Sequence, residues 1–474
     1  MPTIKFGTDG WRAVIAEDFT FDNVRACAQG VANYFTQARL TTQGIVIGYD
    51  TRFASEDFAA VSAEVLAANG IKVLLCSKVA PTPVVSYVVT ATKSAGGIVI
   101  TASHNPGQWN GFKYKDSTGA SAPSELAATV EQNTNEALSS GTIKSIPLEQ
   151  GIAKGLITYY DPVPVYDEQI KRLLDLKPIR QNRFKIIIDS MFGAGIGYFQ
   201  SFLSDSRLNI TEINAERNPS FPGIQQPEPI ARNLVKLSHT VKEQKADLGL
   251  ATDGDADRIG IVDEKGNFLN PHQVFALLAL YFLEVRKERG AIAKSLCSTT
   301  MLESLGKLYN VPVYETKVGF KYVAPVMLEQ NAFIGGEESG GYGFRGHVPE
   351  RDGVLAGLYF LDFMTRTKKT PSQLLDLLYS KVGPHYYDRY DFHISPEQHK
   401  ALLSKLEQSQ ISSIAGIQVA RVNRADGFKY LLSDNSWLLI RFSGTEPLIR
   451  VYAESHSTEQ VKKLLDYGKE ILGL

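Results

Sequence analysis

The feature that most constrains the fold is a thrice-repeated alternation of short β-branched runs with helix-forming stretches. "GIVIGYD" (44–50), "IKVLLC" (71–76) and "GIVITAS" (97–103) are strand candidates. Between the first two lies "EDFAAVSAEVLAANG", a helical pattern closed by a Gly stop. The arrangement returns at "RFKIIIDS" (183–190), "NITEIN" (209–214) and "ADLGLAT" (246–252). A third round runs through "SLCSTT" (295–300), "VPVYET" (311–316) and "AFIGGEE" (332–338). Strand, helix, strand in series predicts βαβ units with largely parallel sheets, hence three similar α/β domains. The C-terminal part differs. "IQVARVNR", "FKYLLS", "SWLLIRF" and "LIRVYAES" follow one another closely, with Asp426-Gly427 and Asp434-Asn435 as turns. That predicts an antiparallel meander. A last helix follows, with Ser457 and Gln460 at capping-box spacing. Pro-rich "YYDPVPVYD" (159–167) and "KVGPHYYDRY" (381–390) read as linkers. The predicted domains are 1–158, 159–263, 264–382 and 383–474, the last of α+β type.

Composition narrows the partners. The chain has 474 residues, 43% hydrophobic and 21% charged, with a formal net charge of −1. No global field draws it to nucleic acid or an anionic membrane, so an anion site must be a local cluster. Cys27, Cys76 and Cys297 are far apart and form no CxxC pair, which suits a reducing compartment. The N-terminal residues lack the apolar core of a signal peptide. The longest apolar run, Val274 to Leu283, is too short to span a bilayer and reads as a buried helix. The expectation is a soluble cytoplasmic protein, monomeric or homodimeric.

Four short stretches carry chemistry. In "IVITASHNPGQWNGFKY" (98–114) a buried strand ends by releasing Ser103 and His104 into a loop, with Lys113 ten residues on. No GxSxG elbow surrounds Ser103. Side chains adjacent in sequence tend to diverge, so Ser103 and His104 make a poor nucleophile–base pair. In "ATDGDADRIGIVDEKG", Asp253, Asp255 and Asp257 alternate. Three carboxylates this close repel unless solvent or a hard divalent cation separates them, and Mg²⁺ suits the set better than Ca²⁺. An EF-hand is rejected, because Arg258 stands where that loop needs Gly and the flanks read as strands. "IGGEESGGYGFRGH" (334–347) offers Glu337 and Ser339 amid glycines, a pattern that serves a polyol or a mobile surface loop. Lys317, Lys321, Arg345 and Arg351 nearby read as ordinary surface cations. In "IRFSGTEPLIR" (440–450), Arg441, Ser443, Gly444 and Thr445 can cradle an anion, and Arg450 adds charge. "DSMFGAGIGYF" misses the dinucleotide spacing and reads as a tight strand-to-helix turn.

"TASHNP", "DGDADR", "GEESGG" and "RFSGTEPLIR", one per predicted domain and in this order, resemble the motifs of the α-D-phosphohexomutase superfamily. The resemblance runs from "FGTDGWR" to the C-terminal meander. It implies four domains around a central cleft: three related α/β domains with mixed sheets and a fourth like the TATA-box-binding protein. It implies that Ser103 is a phosphoserine, and that Asp253, Asp255 and Asp257 ligate one Mg²⁺ together with the Ser103 phosphate. Arg12, His104, Lys113 and Arg258 match positions beside the phosphoserine, with Lys113 and His104 as candidates for proton transfer. Glu337 and Ser339 match residues that bind sugar hydroxyls, and Lys317 falls in the accompanying "TKVGFKY". Arg441, Ser443, Gly444 and Thr445 match the loop that holds the non-reacting phosphate.

The implied activity is reversible phosphoryl transfer between C1 and C6 of an α-D-hexose phosphate, glucose 1-phosphate to glucose 6-phosphate, with glucose 1,6-bisphosphate as intermediate and activator. A phosphomannomutase or dual-specificity mutase is the alternative. A non-catalytic sugar-phosphate sensor and a Ser-dependent phosphatase are more remote. Dual-specificity and glucosamine-type members often carry His where this chain has Gly341, and many dual-specificity members carry His in place of Phe320.

Overall fold

The structure, a computed structural model, describes residues 3–7, 9–442 and 448–473. It holds four sheets. The first comprises β1 (Trp11–Val14), β2 (Ile45–Tyr49), β3 (Val73–Cys76), β4 (Gly97–Ile100), β5 (Trp109–Lys115) and β6 (Ile157–Tyr160), in the order β1-β5-β4-β2-β3-β6. β4, β2, β3 and β6 run parallel, while β5 pairs antiparallel with β4 and β1. The second has β7 (Lys185–Asp189), β8 (Asn209–Ile213), β9 (Leu248–Thr252), β10 (Ile259–Val262) and β11 (Phe268–Leu269), in the order β11-β10-β9-β7-β8. The third has β12 (Ile292–Ser295), β13 (Val313–Thr316), β14 (Ile334–Gly336) and β15 (Tyr342–Phe344), in the order β13-β12-β14-β15. β2, β4, β9 and β12 are buried almost throughout because helices cover both faces. Three α/β sheets form as the alternation predicts, but each is mixed rather than largely parallel, with antiparallel pairing at one side, as the resemblance implies.

The fourth sheet is antiparallel throughout: β16 (Tyr386–His393), β17 (Ser413–Ile414), β18 (Ile417–Asn423), β19 (Phe428–Leu432), β20 (Trp437–Phe442) and β21 (Leu448–Ser455), in the order β16-β21-β20-β19-β18-β17. Its period-2 alternation serves two partners. Leu438 and Ile440 face the core shared with Leu406, Leu464 and Leu465 of the helices Pro396–Gln408 and Thr458–Leu472. Trp437 and Leu439, on the opposite face, pack with Tyr452 against Leu296 and Cys297 of the third domain. Lys429 reinforces that seam by donating to the Leu296 carbonyl at 2.7 Å.

Several local expectations change. Residues 295–300 are not a strand. β12 stops at Ser295, and the buried Lys294 ammonium curls the chain by bonding the carbonyls of Ser298 and Thr299 and the Glu303 carboxylate. The stretch 381–390, read as a linker, supplies most of β16, paired with β21 over its whole length. Lys113 lies on β5 opposite Val99, not in a loop. Ser457 caps the last helix by accepting from the Gln460 N–H, which is half of the capping box its spacing predicts; no return bond from the Gln460 side chain is formed among the described residues. Val274–Leu283 is buried helix, begun by a capping box at Asn270 and ending in a π-turn. Among the described residues no helix is long and apolar enough to cross a membrane.

Trp437 is fully buried at the seam between the third and fourth domains. Trp437→Ala is expected to cost about 3–5 kcal/mol. Hydrogen exchange should show lost protection in both β20 and the 296–300 loop; protection lost in β20 alone would mean the seam does not couple the two domains.

Candidate active site

Ser103 lies three residues beyond β4, in left-handed backbone at φ 53°, and is almost wholly buried. Such a conformation is costly for a non-glycine residue and needs support. The Thr101 hydroxyl accepts the Ser103 N–H at 2.8 Å. Arg52, buried completely, supplies the rest. Its guanidinium donates to the carbonyls of Ser103, Asn105, Pro106 and Trp109 at 2.6–2.9 Å, and its Nε lies 3.2 Å from Asp50. One fork therefore ties the whole 103–109 loop to the end of β2.

The loop after β9 meets this one. The Ser103 hydroxyl donates to Asp253 Oδ2 at 3.1 Å, and the Arg258 N–H donates to Asp253 Oδ1 at 3.0 Å. A Cβ at Gly254 would run into the Ser103 carbonyl oxygen, so only glycine allows this approach. Carboxylate oxygens of Asp253, Asp255 and Asp257 lie within 4.8 Å of one another, all buried. Asp255 Oδ1 and Asp257 Oδ1 have no hydrogen-bond partner. Burial and the charges of Asp257 and Asp255 push the Asp253 carboxyl well above the carboxylate range. Burial opposes ionisation of Asp255 too, but the Lys113 ammonium outweighs it and holds that carboxyl down. Two unpartnered buried oxygens in a crowded carboxylate triad fit a hard divalent cation.

The cations are shared out unevenly. Lys113 Nζ is 2.9 Å from Asp255, 2.8 Å from Asp9 and 3.8 Å from Asp257. Burial alone would discharge Lys113, but these three carboxylates keep it protonated. Lys115 pairs with Glu350 at 2.6 Å and with Asp9 at 3.4 Å. Arg351 reaches Asp257 at 2.5 Å, Glu337 at 3.2 Å, Glu350 at 3.4 Å and Asp9 at 3.8 Å. Five carboxylates from three domains thus draw on Lys113, Lys115 and Arg351, with Arg258 Nε a further 3.9 Å from Asp257.

His104 and Ser103 do not diverge: His104 Nδ1 is 3.3 Å from Ser103 Oγ. Nδ1 also accepts from the Arg258 guanidinium at 2.9 Å. Burial, then the charges of Arg258 and Arg12, hold the imidazole well below its usual range and therefore neutral. Arg12, on β1, donates to Asn105 Oδ1 at 2.8 Å.

The expected sugar and phosphate residues form a second group. Glu337 follows β14. Its Oε1 accepts the Gly319 N–H at 3.0 Å, and burial pushes its carboxyl up to about 7 against the pull of Arg351. Ser339 is half-buried on the turn that follows. Asp426 Oδ2 accepts the Val318 N–H at 2.9 Å and the Arg441 Nε–H at 3.1 Å. The 318–319 backbone therefore joins Glu337 to the fourth domain. Lys317 is exposed, 5.9 Å from the Tyr322 ring. Arg450 Nε is 3.8 Å from Asp391. Ser443, Gly444 and Thr445 lie outside the described residues.

Arg351, read from sequence as a surface cation, is buried at the junction of the two groups. Its guanidinium lies 5.7 Å over the Phe320 ring, and a Cβ at Gly341 would collide with its side chain. Both departures from the His-bearing pattern therefore touch one residue. Sequence reasoning also missed Asp9, Arg52, Thr82 and Glu350. Thr82 donates to Asp255 Oδ2 at 2.5 Å. Asp9 lies within the quoted "FGTDGWR", where only Arg12 was singled out; Arg52, Thr82 and Glu350 lie in unremarkable local sequence, and the contacts that matter are long-range.

Gly254→Ala is expected to force the two loops apart. Divalent-cation binding should weaken at least tenfold, with a loss of stability of about 1–3 kcal/mol. Unchanged binding would show that the close approach is not required.

Family sequence models match along the chain: "Phosphoglucomutase/phosphomannomutase, alpha/beta/alpha" domain I over residues 3–140, domain II over 164–266 and domain III over 270–382, and the C-terminal domain over 401–468. A chain of Thermococcus kodakarensis named phosphoglucomutase/phosphomannomutase is 30% identical over 469 residues, covering 98% of each chain. A phosphoglucomutase of Komagataeibacter xylinus is 29% identical, over 95% of this chain and 87% of its own. A crystal structure from Thermus thermophilus, named as a phosphomannomutase, superposes with a TM-score of 0.86 and 35% identity over the full length of both chains. With the domain order, the sheets and the buried Asp triad all in agreement, the chain belongs to the phosphoglucomutase/phosphomannomutase family, isomerases that transfer a phosphoryl group within a sugar phosphate.

Proposed function

We propose that the chain interconverts α-D-glucose 1-phosphate and glucose 6-phosphate through glucose 1,6-bisphosphate, with Ser103 carrying the phosphoryl group between turnovers. The observation that carries this reading is the placement of a buried, conformationally constrained Ser103 hydroxyl 3.1 Å from Asp253, at the edge of the carboxylate triad. A serine so placed lacks the free imidazole base of a hydrolytic nucleophile, and Asp253, which accepts from its hydroxyl, has its carboxyl pushed well above the carboxylate range. The His104 Nδ1 lone pair is taken by Arg258, and Lys113 is an ammonium enclosed by carboxylates.

The residues support a phosphoryl carrier instead. A phosphoserine brings about −1.5 to −2 of charge at neutral pH. Arg12, Lys113 and Arg258 stand around the Ser103 loop to offset it, and His104 is neutral and polar beside it. Asp253, Asp255 and Asp257 would hold one Mg²⁺, whose contribution when bound is to neutralise charge on the transferring phosphoryl oxygens. Phosphoryl transfer relies on positioning and charge neutralisation more than on covalent activation. Glu337 and Ser339 would grip sugar hydroxyls from the third domain. Arg441, with Ser443, Gly444 and Thr445, would hold whichever phosphate is not reacting, and Lys317 and Arg450 would add positive charge at that end. Arg441 now rests on Asp426, so an incoming phosphate exchanges one anion for another.

The sugar is the finer question, since relatives are named for glucose, mannose and glucosamine phosphates. The Gly341 and Phe320 positions, filled in by Arg351, favour glucose. Assays of the three 1-phosphates with Mg²⁺ and the matching bisphosphate should give the 6-phosphate fastest from glucose, and peptide mapping should place one phosphoryl group on Ser103. Failure to isomerise any of them, or release of inorganic phosphate alone, would overturn the reading.

The carboxylate of Glu337 accepts from sugar hydroxyls through a charged oxygen that protonation turns into a donor. With its carboxyl raised to about 7, that acceptor is lost as pH falls through neutrality. KM should therefore rise several-fold between pH 8 and about pH 6 in the wild type and stay flat relative to it in Glu337→Gln. Parallel profiles in the two proteins would remove Glu337 from sugar binding.

A further inference from the structure

The connector between β8 and the helix Val235–Gln244 carries "QQPEP" (225–229). It is fastened at several points. Pro227 and Pro229 are buried and fix the backbone on either side of Glu228. The Pro227 carbonyl accepts the Gly254 N–H at 3.1 Å, tying the connector to the Asp loop. Asn233 donates to the carbonyls of Gln226 and Glu228 at 3.1 and 2.9 Å. From this rigid segment one Glu228 carboxylate oxygen accepts from Arg258 Nη1 at 2.9 Å, and the other accepts from Gln226 at 2.7 Å.

Arg258 is thereby a fork with both ends engaged. Nη1 points to Glu228 and Nη2 to His104 Nδ1. A guanidinium only donates, so Nδ1 must be the acceptor. The neutral His104 ring then carries its proton on Nε2. Nδ1 lies 3.3 Å from Ser103 Oγ, but the Ser103 hydroxyl proton is directed to Asp253. A chain of hydrogen bonds runs Gln226–Glu228–Arg258–His104 and ends at the phosphoryl-carrier position. Nothing in the apolar packing of the second domain requires a carboxylate at residue 228.

We infer that Glu228 is a positioning residue: it sets the orientation of Arg258, which locks His104 as the Nε2–H tautomer and occupies the Nδ1 lone pair nearest Ser103 Oγ, so that His104 presents no base there. The catalytic consequence rests on the mutase reading above; the tautomer assignment does not.

The test uses the full chain with ¹⁵N-histidine, Glu228→Ala and, as the acceptor-retaining variant, Glu228→Gln. His104 resonances are assigned by difference from His104→Asn. Long-range ¹H–¹⁵N spectra at neutral pH should show Nε2–H in the wild type and in Glu228→Gln, and a tautomer mixture in Glu228→Ala. With glucose 1-phosphate, Mg²⁺ and bisphosphate, kcat of Glu228→Ala should fall about tenfold or more with KM within twofold. Glu228→Gln should recover most of the loss. An Nδ1–H tautomer in the wild type, or a His104 spectrum identical in wild type and Glu228→Ala, overturns the inference. Unchanged kcat in Glu228→Ala overturns its catalytic part. If the wild type isomerises no hexose phosphate, the mutase reading fails and the spectra still decide the role of Glu228.

Discussion

The arrangement depends on a buried surplus of carboxylate. Asp9, Asp255, Asp257, Glu337 and Glu350 converge on Lys113, Lys115 and Arg351 in a region where all but the partly buried Asp9 are buried. Burying one unpaired charge costs several kcal/mol, so such a cluster survives only if its members pair densely and a further positive charge completes it. The two unpartnered oxygens of Asp255 and Asp257 mark where that charge is missing. Breaking any single pair would leave a buried ion uncompensated, so the cluster also fixes how three domains sit against one another. Asp9 and the two lysines come from the first, the Asp loop from the second, and Glu337, Glu350 and Arg351 from the third.

The sheets exist, in this view, to deliver loops. β4 and β9 are central strands, each with one parallel and one antiparallel neighbour, whose carboxyl ends carry Ser103 and the Asp triad, the position where open α/β sheets place ligand sites. Arg52 converts four loop carbonyls into a rigid seat for a strained serine. The 318–319 backbone then joins Glu337 to Asp426 and Arg441, so the residues proposed to hold sugar and distal phosphate are mechanically continuous with the seam built on Trp437.

Sequence showed the parts whose signal is local. Runs such as "KIIID" and "LGLAT" are apolar because both faces are covered, and the meander alternates because its two faces meet different partners. The Asp triad was visible because three carboxylates share one five-residue loop. What escaped was non-local. β5 reads as loop because its Asn, Gly and Lys are poor strand formers; only its pairing between β4 and β1, with Lys113 neutralised by three acids, makes it a strand. β16 escaped because its exposed alternation resembles a linker until β21 is beside it. Arg351 looked like a surface cation because its four carboxylate partners lie up to hundreds of residues away. The near contact of Ser103 and His104 defeats the rule that neighbours diverge because left-handed backbone at Ser103 redirects its side chain.

The central claim, that the buried carboxylate surplus is a site for one divalent cation at the Ser103 loop, is tested most directly by calorimetric titration of the metal-free chain with Mn²⁺. The expected result is one ion per chain in the wild type, lost in Asp255→Asn, which stays folded but melts at a lower temperature because Lys113 loses a buried partner. Absence of saturable binding, or equal binding by Asp255→Asn, would contradict it.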